Sequence, residues 1–139
     1  MTRSYIGIGA NLGDREATLR SAVAALGMIP GVEVVAVSTL RESEPVGSII
    51  EQPRFLNGAV AVETSLGARE LLDLLLRIEA EHGRTREGPH GGPRTLDLDL
   101  LIHGDERVDE PGLSVPHPRL HERDFVLEPL RELGWTPIH

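Results

Sequence analysis

Two aspartates stand at alternate positions of an apolar segment, residues 92–102, which reads GPRTLDLDLLI. Because successive side chains of a β-strand point to opposite faces, Asp97 and Asp99 should share one face, and the other should carry Leu96, Leu98, Leu100 and Ile102. At the spacing of about 6.5 Å that a strand gives, two carboxylates repel by roughly 2.5 kcal/mol at an effective dielectric constant of about 20. A bound cation would reverse this repulsion, and Mg²⁺ typically combines one or two carboxylates with phosphate oxygens. The pattern predicts a metal site for phosphate chemistry; the alternative is an edge strand whose acidic face lies in water.

The segment before the aspartates is locally basic in an acidic chain. The net charge is −8, and all 14 basic residues are arginines. Arg84, Arg86 and Arg94 are interspersed with glycines at positions 83, 88, 91 and 92. Guanidinium groups bind phosphate oxygens in bidentate geometry, so this loop is a candidate phosphate-binding segment. The alternative is a solvated loop whose arginines pair with surface acids.

The composition excludes several kinds of site and partner. The chain has no cysteine, which excludes disulfides, thiolate metal sites and a cysteine nucleophile. The absence of lysine excludes a Walker-type phosphate loop and a Schiff-base mechanism. The acidic balance argues against a nucleic-acid partner. No apolar run approaches the roughly 18 residues of a membrane span, and residues 1–5 enter a strand pattern without a leader, so we expect a cytoplasmic protein.

The length of 139 residues predicts a single domain, residues 1–139. Hydrophobic periodicity predicts strand, helix, strand, strand, helix and strand over residues 5–9, 15–26, 32–40, 55–64, 67–82 and 96–102. Asp14 is the expected N-cap of the first helix. Residues 41–54 read as a long loop, residues 107–109 as a short strand, and residues 119–133 as two short helical turns.

This order of elements predicts a ferredoxin-like α+β sandwich. Its antiparallel four-stranded sheet would carry two main helices on one face, followed by a C-terminal helical tail. We expect the strand that holds Asp97 and Asp99 to take an inner position in that sheet. An inner position would favour the metal site over the solvated edge strand.

Motifs along the whole chain resemble the 6-hydroxymethyl-7,8-dihydropterin pyrophosphokinase family. They read GANLGD at 9–14, SEPVG at 43–47, QPRFLN at 52–57, RIE at 77–79, GRTR at 83–86, GPRTLDLD at 92–99, VPHPR at 115–119 and RDF at 123–125. The most specific is Gly-Pro-Arg-x-x-Asp-x-Asp. The resemblance implies ATP-dependent transfer of a pyrophosphoryl group to the hydroxymethyl group of a reduced pterin, with release of AMP, in folate biosynthesis. It implies small-molecule partners only, and we expect a monomer.

The resemblance also implies roles for matching residues of this sequence. Asp97 and Asp99 would hold two Mg²⁺ ions, while Arg84 and Arg94 would stabilise charge on the transferred group. The nucleotide site would include Glu79, Arg86, Arg94, His117 and Arg123. The pterin site would include Ser43, Pro45, Val46, Asn57 and Asp97, with the ring held between Phe55 and Phe125. Without the resemblance, Glu79 would be an ordinary surface acid of a helix, and His117 a structural histidine between two prolines.

Three positions depart from the pattern of many family members. Phe55 replaces a tyrosine, which preserves the ring face for stacking. Gly91 stands where some members carry a tryptophan, so closure of the catalytic loop could differ in packing. Arg41 stands where an aromatic residue is common. We expect residues 84–93 and 41–54 to tighten only when both substrates are bound.

Two other functions remain open from the residues alone. The aspartates could belong to a two-metal phosphohydrolase that activates water, although no further Asp and His cluster surrounds their strand in the sequence. The fold could also serve a ligand-binding or regulatory module without catalysis. Such a module would have no evident need for paired acids next to three arginines.

Overall fold

Seven strands and three helices form the part of the chain that the computed structural model describes, namely residues 1–11, 14–43, 55–82, 96–118, 120 and 124–135. The elements are β1 (Thr2–Ala10), α1 (Arg15–Gly27), β2 (Val32–Val37), β3 (Arg41–Ser43), β4 (Phe55–Thr64), α2 (Ala68–Glu81), β5 (Asp97–His103), β6 (Val108–Glu110), β7 (Leu113–Val115) and α3 (Asp124–Glu132). The predicted α+β class with a ferredoxin-like arrangement is confirmed. In these ranges, no helix is long and apolar enough to cross a bilayer.

The main sheet is antiparallel and has the order β2-β4-β1-β5. It contains a fifth strand, because β3 pairs with the first residues of β4, inside the segment that was predicted to be a loop. Strands β6 and β7 form a separate hairpin. β3 and β7 have three residues each, which is too short for a sequence period to be recognised.

The prediction that the two aspartates lie on an inner strand is wrong. Within the described residues β5 pairs only with β1, so it is an edge strand, and β1 and β4 hold the centre. The edge is nevertheless partly covered. The Leu98 amide donates to Glu79 Oε2 at 2.7 Å, and the His117 amide donates to the Leu101 carbonyl at 2.8 Å.

One face of the sheet packs against α1 and α2. Asp14 caps α1 as predicted, because its side chain accepts a hydrogen bond from the Ala17 amide at 3.1 Å. Helix α2 buries Leu71, Leu75 and Ile78 against the sheet, as its periodicity predicts. Each of these side chains contributes about 1.5–3 kcal/mol by leaving water, which fixes α2 along β5.

The opposite face is divided into two halves. One half is apolar and is covered by α3, whose Leu127 and Leu130 pack against it. The predicted helical tail is confirmed in the described residues, where Leu120 lies in a 3₁₀ segment and α3 follows as one helix over Asp124–Glu132. Ile102 also lies on this face, opposite Tyr5, since a register shift in the β1–β5 pair moves it from the face predicted for it. The other half of the face carries the polar residues described next.

Candidate active site

The polar half of the sheet face is a row of residues that crosses four strands. The pairing registers place Arg41 beside Asn57, Asn57 beside Gly9, and Gly9 beside Asp97. Phe55 lies two residues before Asn57 on β4, so it shares this face. The fold therefore brings the predicted ring-binding residues Phe55 and Asn57 onto the same surface as the predicted metal-binding carboxylate.

The centre of the row contains no side chain. A Cβ atom on Gly9 would lie 2.8 Å from Asn57 Oδ1 and 3.7 Å from Phe55 Cδ1. Gly7, two residues earlier on the same face, pairs with Asp99. No role in the site was predicted for either glycine, although they alternate with Ile8 in an apolar strand, as Gly7-Ile8-Gly9. With no side chain at Gly9, the Asn57 amide lies directly over the strand there, whereas the Leu101 side chain lies over Gly7.

A cavity of about 370 Å³ lies along the outer edge of β5. Its polar wall includes Glu79, His117 and both aspartates, and its apolar wall includes Leu72, Leu76 and Leu113. This volume is in the range of small-molecule sites. The cavity therefore unites two predicted nucleotide-binding residues with the predicted metal-binding pair, and Asp97 belongs both to the cavity and to the polar row.

Glu79 is buried, with 2% of its surface exposed, so the alternative of a surface acid is excluded. Its Oε2 accepts the hydrogen bond from the Leu98 amide, which lies between Asp97 and Asp99 in the chain. A buried carboxylate costs free energy unless hydrogen bonds compensate for lost hydration. The bond gives part of that compensation and also joins α2 to the strand that carries the aspartates.

The aspartates themselves match the ligands of a hard divalent cation. Asp97 is half-buried and Asp99 is exposed, and both line the cavity. Among the described residues, no group of three or more Asp, Glu or His side chains could enclose a metal ion. Two protein carboxylates, with other positions left for water and phosphate oxygens, are the usual arrangement for Mg²⁺. The residues present therefore fit Mg²⁺ bound together with a phosphate-bearing ligand.

The remaining predicted residues are placed only in part. Ser43 ends β3, where its backbone pairs with that of Phe55, and Phe125 lies in the first turn of α3. Outside the described residues lie Pro45, Val46, Arg84, Arg86, Arg94 and Arg123, together with Gly91 and most of the two loops that are expected to tighten.

Comparison with known proteins shows the family. A family model described as 7,8-dihydro-6-hydroxymethylpterin-pyrophosphokinase (HPPK) matches residues 5–134. A Bacillus subtilis protein described as 2-amino-4-hydroxy-6-hydroxymethyldihydropteridine pyrophosphokinase is 51% identical over 130 residues, which is 94% of this chain and 77% of that protein. A Pseudomonas aeruginosa protein with the same description is 44% identical over 132 residues, 95% of this chain and 80% of that protein. The "Folate synthesis bifunctional protein, mitochondrial" of Pisum sativum is 42% identical over 133 residues, 96% of this chain but 25% of that protein. This chain belongs to the 7,8-dihydro-6-hydroxymethylpterin-pyrophosphokinase family.

Proposed function

We propose that this chain transfers a pyrophosphoryl group from ATP to the hydroxymethyl group of 6-hydroxymethyl-7,8-dihydropterin, which yields the pterin diphosphate and AMP in folate biosynthesis. The observation that carries the proposal is the row from Asn57 through Gly9 to Asp97, which joins a surface for a flat polar ring to the edge of an acidic cavity. Family membership and the names of the relatives support the same reaction.

The reaction joins the pterin hydroxyl oxygen to the β-phosphorus of ATP. The bond between that phosphorus and the oxygen shared with the α-phosphate breaks, AMP leaves, and the hydroxyl proton is released. Such transfers depend mainly on positioning and on neutralising charge. The adjacency of Asn57 and Asp97 on neighbouring strands supports this chemistry, because it would place a bound ring next to the carboxylates that face the phosphates.

The proposed metal dependence rests on Asp97 and Asp99, which would hold two Mg²⁺ ions. When bound, the ions would neutralise phosphate charge and orient the reacting oxygens. The half-buried position of Asp97 would strengthen its attraction for a cation, since fewer water molecules screen the charge there. Arg84 and Arg94 are proposed to stabilise the transferred group.

The nucleotide is proposed to occupy the cavity beside β5, where the described residues Glu79 and His117 meet the aspartates. Arg86, Arg94 and Arg123 are proposed to bind it as well. The pterin is proposed to lie on the polar row, with Asn57 reading its edge and Phe55 and Phe125 on its two faces. Ser43, Pro45 and Val46 would complete that site. We further propose a single-domain, monomeric protein of the cytoplasm.

The test is an assay of AMP formation with ATP, Mg²⁺ and 6-hydroxymethyl-7,8-dihydropterin, in which each component is omitted in turn. We expect AMP only in the complete mixture, in equal amount to the pterin diphosphate. Formation of AMP or ADP without pterin would instead support a phosphohydrolase. Absence of Mg²⁺-dependent ATP binding in calorimetry would support a module without catalysis.

A further inference from the structure

We propose that Gly9 is a positioning residue for pterin binding, because the absence of a side chain at this position fixes where the Asn57 amide lies. This inference rests on the proposed function and names a determinant of its substrate site. Gly9 is the residue of β1 that lies between Asn57 of β4 and Asp97 of β5 in the row across the sheet.

The space above Gly9 is already occupied by Asn57. A Cβ atom on Gly9 would lie 2.8 Å from Asn57 Oδ1 and 3.8 Å from Asn57 Cγ. Ordinary contacts of a Cβ atom begin at 3.4 Å, so the amide oxygen would have to move by about 0.6 Å. A hydrogen bond to a ring edge depends on donor and acceptor positions at that scale. Any residue larger than glycine would therefore misplace the group that is proposed to read the pterin.

The backbone does not itself require glycine at this position. Among the described glycines, those with a positive φ are Gly31, Gly104, Gly112 and Gly134, whereas Gly9 lies within the extended strand β1. A glycine inside a strand reduces strand stability and often marks the close approach of a ligand or another group. Gly9 thus provides room for the Asn57 amide above the strand and not an unusual backbone conformation.

A side chain at position 9 should displace the Asn57 amide and leave the neighbouring site residues in place. A Cβ atom at position 9 would be 3.7 Å from Phe55 Cδ1, which is an ordinary contact, so the aromatic ring would not need to move. The nearest described heavy atoms belong to Asn57 and Phe55 and not to Asp97. Stacking of the ring and binding of metal and nucleotide should therefore persist in a variant that disturbs the reading of the pterin edge.

The first test compares Gly9→Ala with Gly7→Ala by steady-state kinetics. Gly9→Ala should raise the KM for the pterin by about tenfold or more and leave the KM for ATP within about twofold. Gly7→Ala adds the same methyl group on the same strand face, where it meets the Leu101 side chain at 3.4–3.6 Å. It should leave the pterin KM within about twofold. Equal rises in the pterin KM for both variants would overturn the inference.

A double-mutant cycle then tests whether Gly9 acts through Asn57. In the Asn57→Ala background, adding Gly9→Ala should change the pterin KM by less than about twofold, because the displaced amide is already absent. An equally large rise in both backgrounds would contradict the inference. If Gly9→Ala alone unfolds, adding Asn57→Ala should raise its thermal unfolding midpoint, and failure to do so would likewise count against it. Wild-type protein that forms no AMP would reject the proposed function, whereas normal wild-type turnover with non-additive pterin KM values as described would support the inference.

Discussion

Asp97 and Asp99 lie on one face of β5, but they differ in burial and in the residue opposite each on β1. Asp97 is half-buried and pairs across to Gly9, whereas Asp99 is exposed and pairs across to Gly7. Both carboxylates line the cavity beside β5. Two acids held side by side are a cost in the free protein and an advantage when a cation is bound.

Replacing Asp97 should separate the repulsion between the two carboxylates in the free protein from their proposed role in binding a cation. Asp97→Ala should lower the rate of AMP formation by more than about hundredfold, because one of two proposed metal ligands is lost. The same change should leave the fold intact and its stability equal or higher by up to about 1 kcal/mol, because repulsion between partly solvated charges is relieved. Kinetics and urea unfolding measure the two effects.

The matched control for that variant is Asp105→Ala, which removes an exposed acid from the turn after β5. It should leave both AMP formation and stability close to wild type. Turnover at the wild-type rate in Asp97→Ala would refute the proposed metal role.

Individual site residues were predictable where a local pattern carried the signal. Alternation alone placed Asp97 and Asp99 on one face, since a strand has a period of two residues. Resemblance singled out Asn57 and Phe55, but their proximity to the aspartates depends on pairing between strands that are distant in sequence. The role of Gly9 could not be predicted for the same reason. Only the strand register shows that the Asn57 side chain lies above it.

At the scale of elements, one carboxylate fastens α3 to the segment that enters β3. Glu132 accepts hydrogen bonds from the Thr39 amide at 2.6 Å, from Thr39 Oγ1 at 3.0 Å and from Arg41 Nη2 at 3.1 Å. These donors, above all the Thr39 amide, hold the pKa of Glu132 below its ordinary value of 4.5. Arg41 also begins the polar row, so the contact joins α3 to the candidate pterin site.

This contact predicts a pH-dependent stability. Because the pKa of Glu132 is lower in the folded protein, its contribution is fully present above about pH 4.5 and is lost as the pH falls through the lowered value. Glu132→Gln should therefore reduce the thermal midpoint at pH 7, and its difference from wild type should shrink below pH 4.5. Melting curves between pH 7 and pH 3 measure this difference.

Glu128→Gln is the control for this contact. Glu128 lies on the same helix, but its contact with Arg41 is weaker, because its carboxylate is 4.0 Å from Arg41 Nη1. A change at Glu128 should have a smaller effect on the midpoint at every pH. A constant difference between Glu132→Gln and wild type over the whole pH range would contradict the assigned role.

Elements were predictable in proportion to their length and their period. Helix α2 was recognisable because its apolar residues recur every three or four positions over 14 residues. The sequence predicts helix in the C-terminal tail but not the bounds of α3, since α3 has only nine residues, contains Pro129 and depends on packing of Leu127 and Leu130 against the sheet. The edge position of β5 was missed because strand order is a property of long-range pairing.

In the part of the chain that the structure describes, α1 and α2 pack on one sheet face, and α3 packs on the apolar half of the other. The other half of that face carries the polar row and adjoins the cavity beside β5. Ligands bound there would add contacts that the unfolded chain cannot make. Their binding must therefore stabilise the fold by mass action.

The thermal unfolding midpoint should rise when nucleotide binds, and the rise should depend on Mg²⁺. A non-hydrolysable ATP analogue at 100 times its dissociation constant, with Mg²⁺, should stabilise the folded protein by about 2.7 kcal/mol. Removing Mg²⁺ with a chelator should abolish most of the gain, as should Asp97→Ala. An unchanged midpoint shift in the presence of the chelator would contradict nucleotide binding through the aspartate pair.

The edge position of β5 also bears on how the molecule behaves among its own copies. An unpaired strand edge can recruit a strand from another chain, and charged side chains or covering groups on the edge are common defences against such aggregation. β5 has both, because it carries two negative charges while Glu79 and His117 engage its outer amide and carbonyl. The acids proposed for catalysis would thus also oppose aggregation through this leucine-rich edge strand. A variant that lacks both acids should lose activity and aggregate more readily.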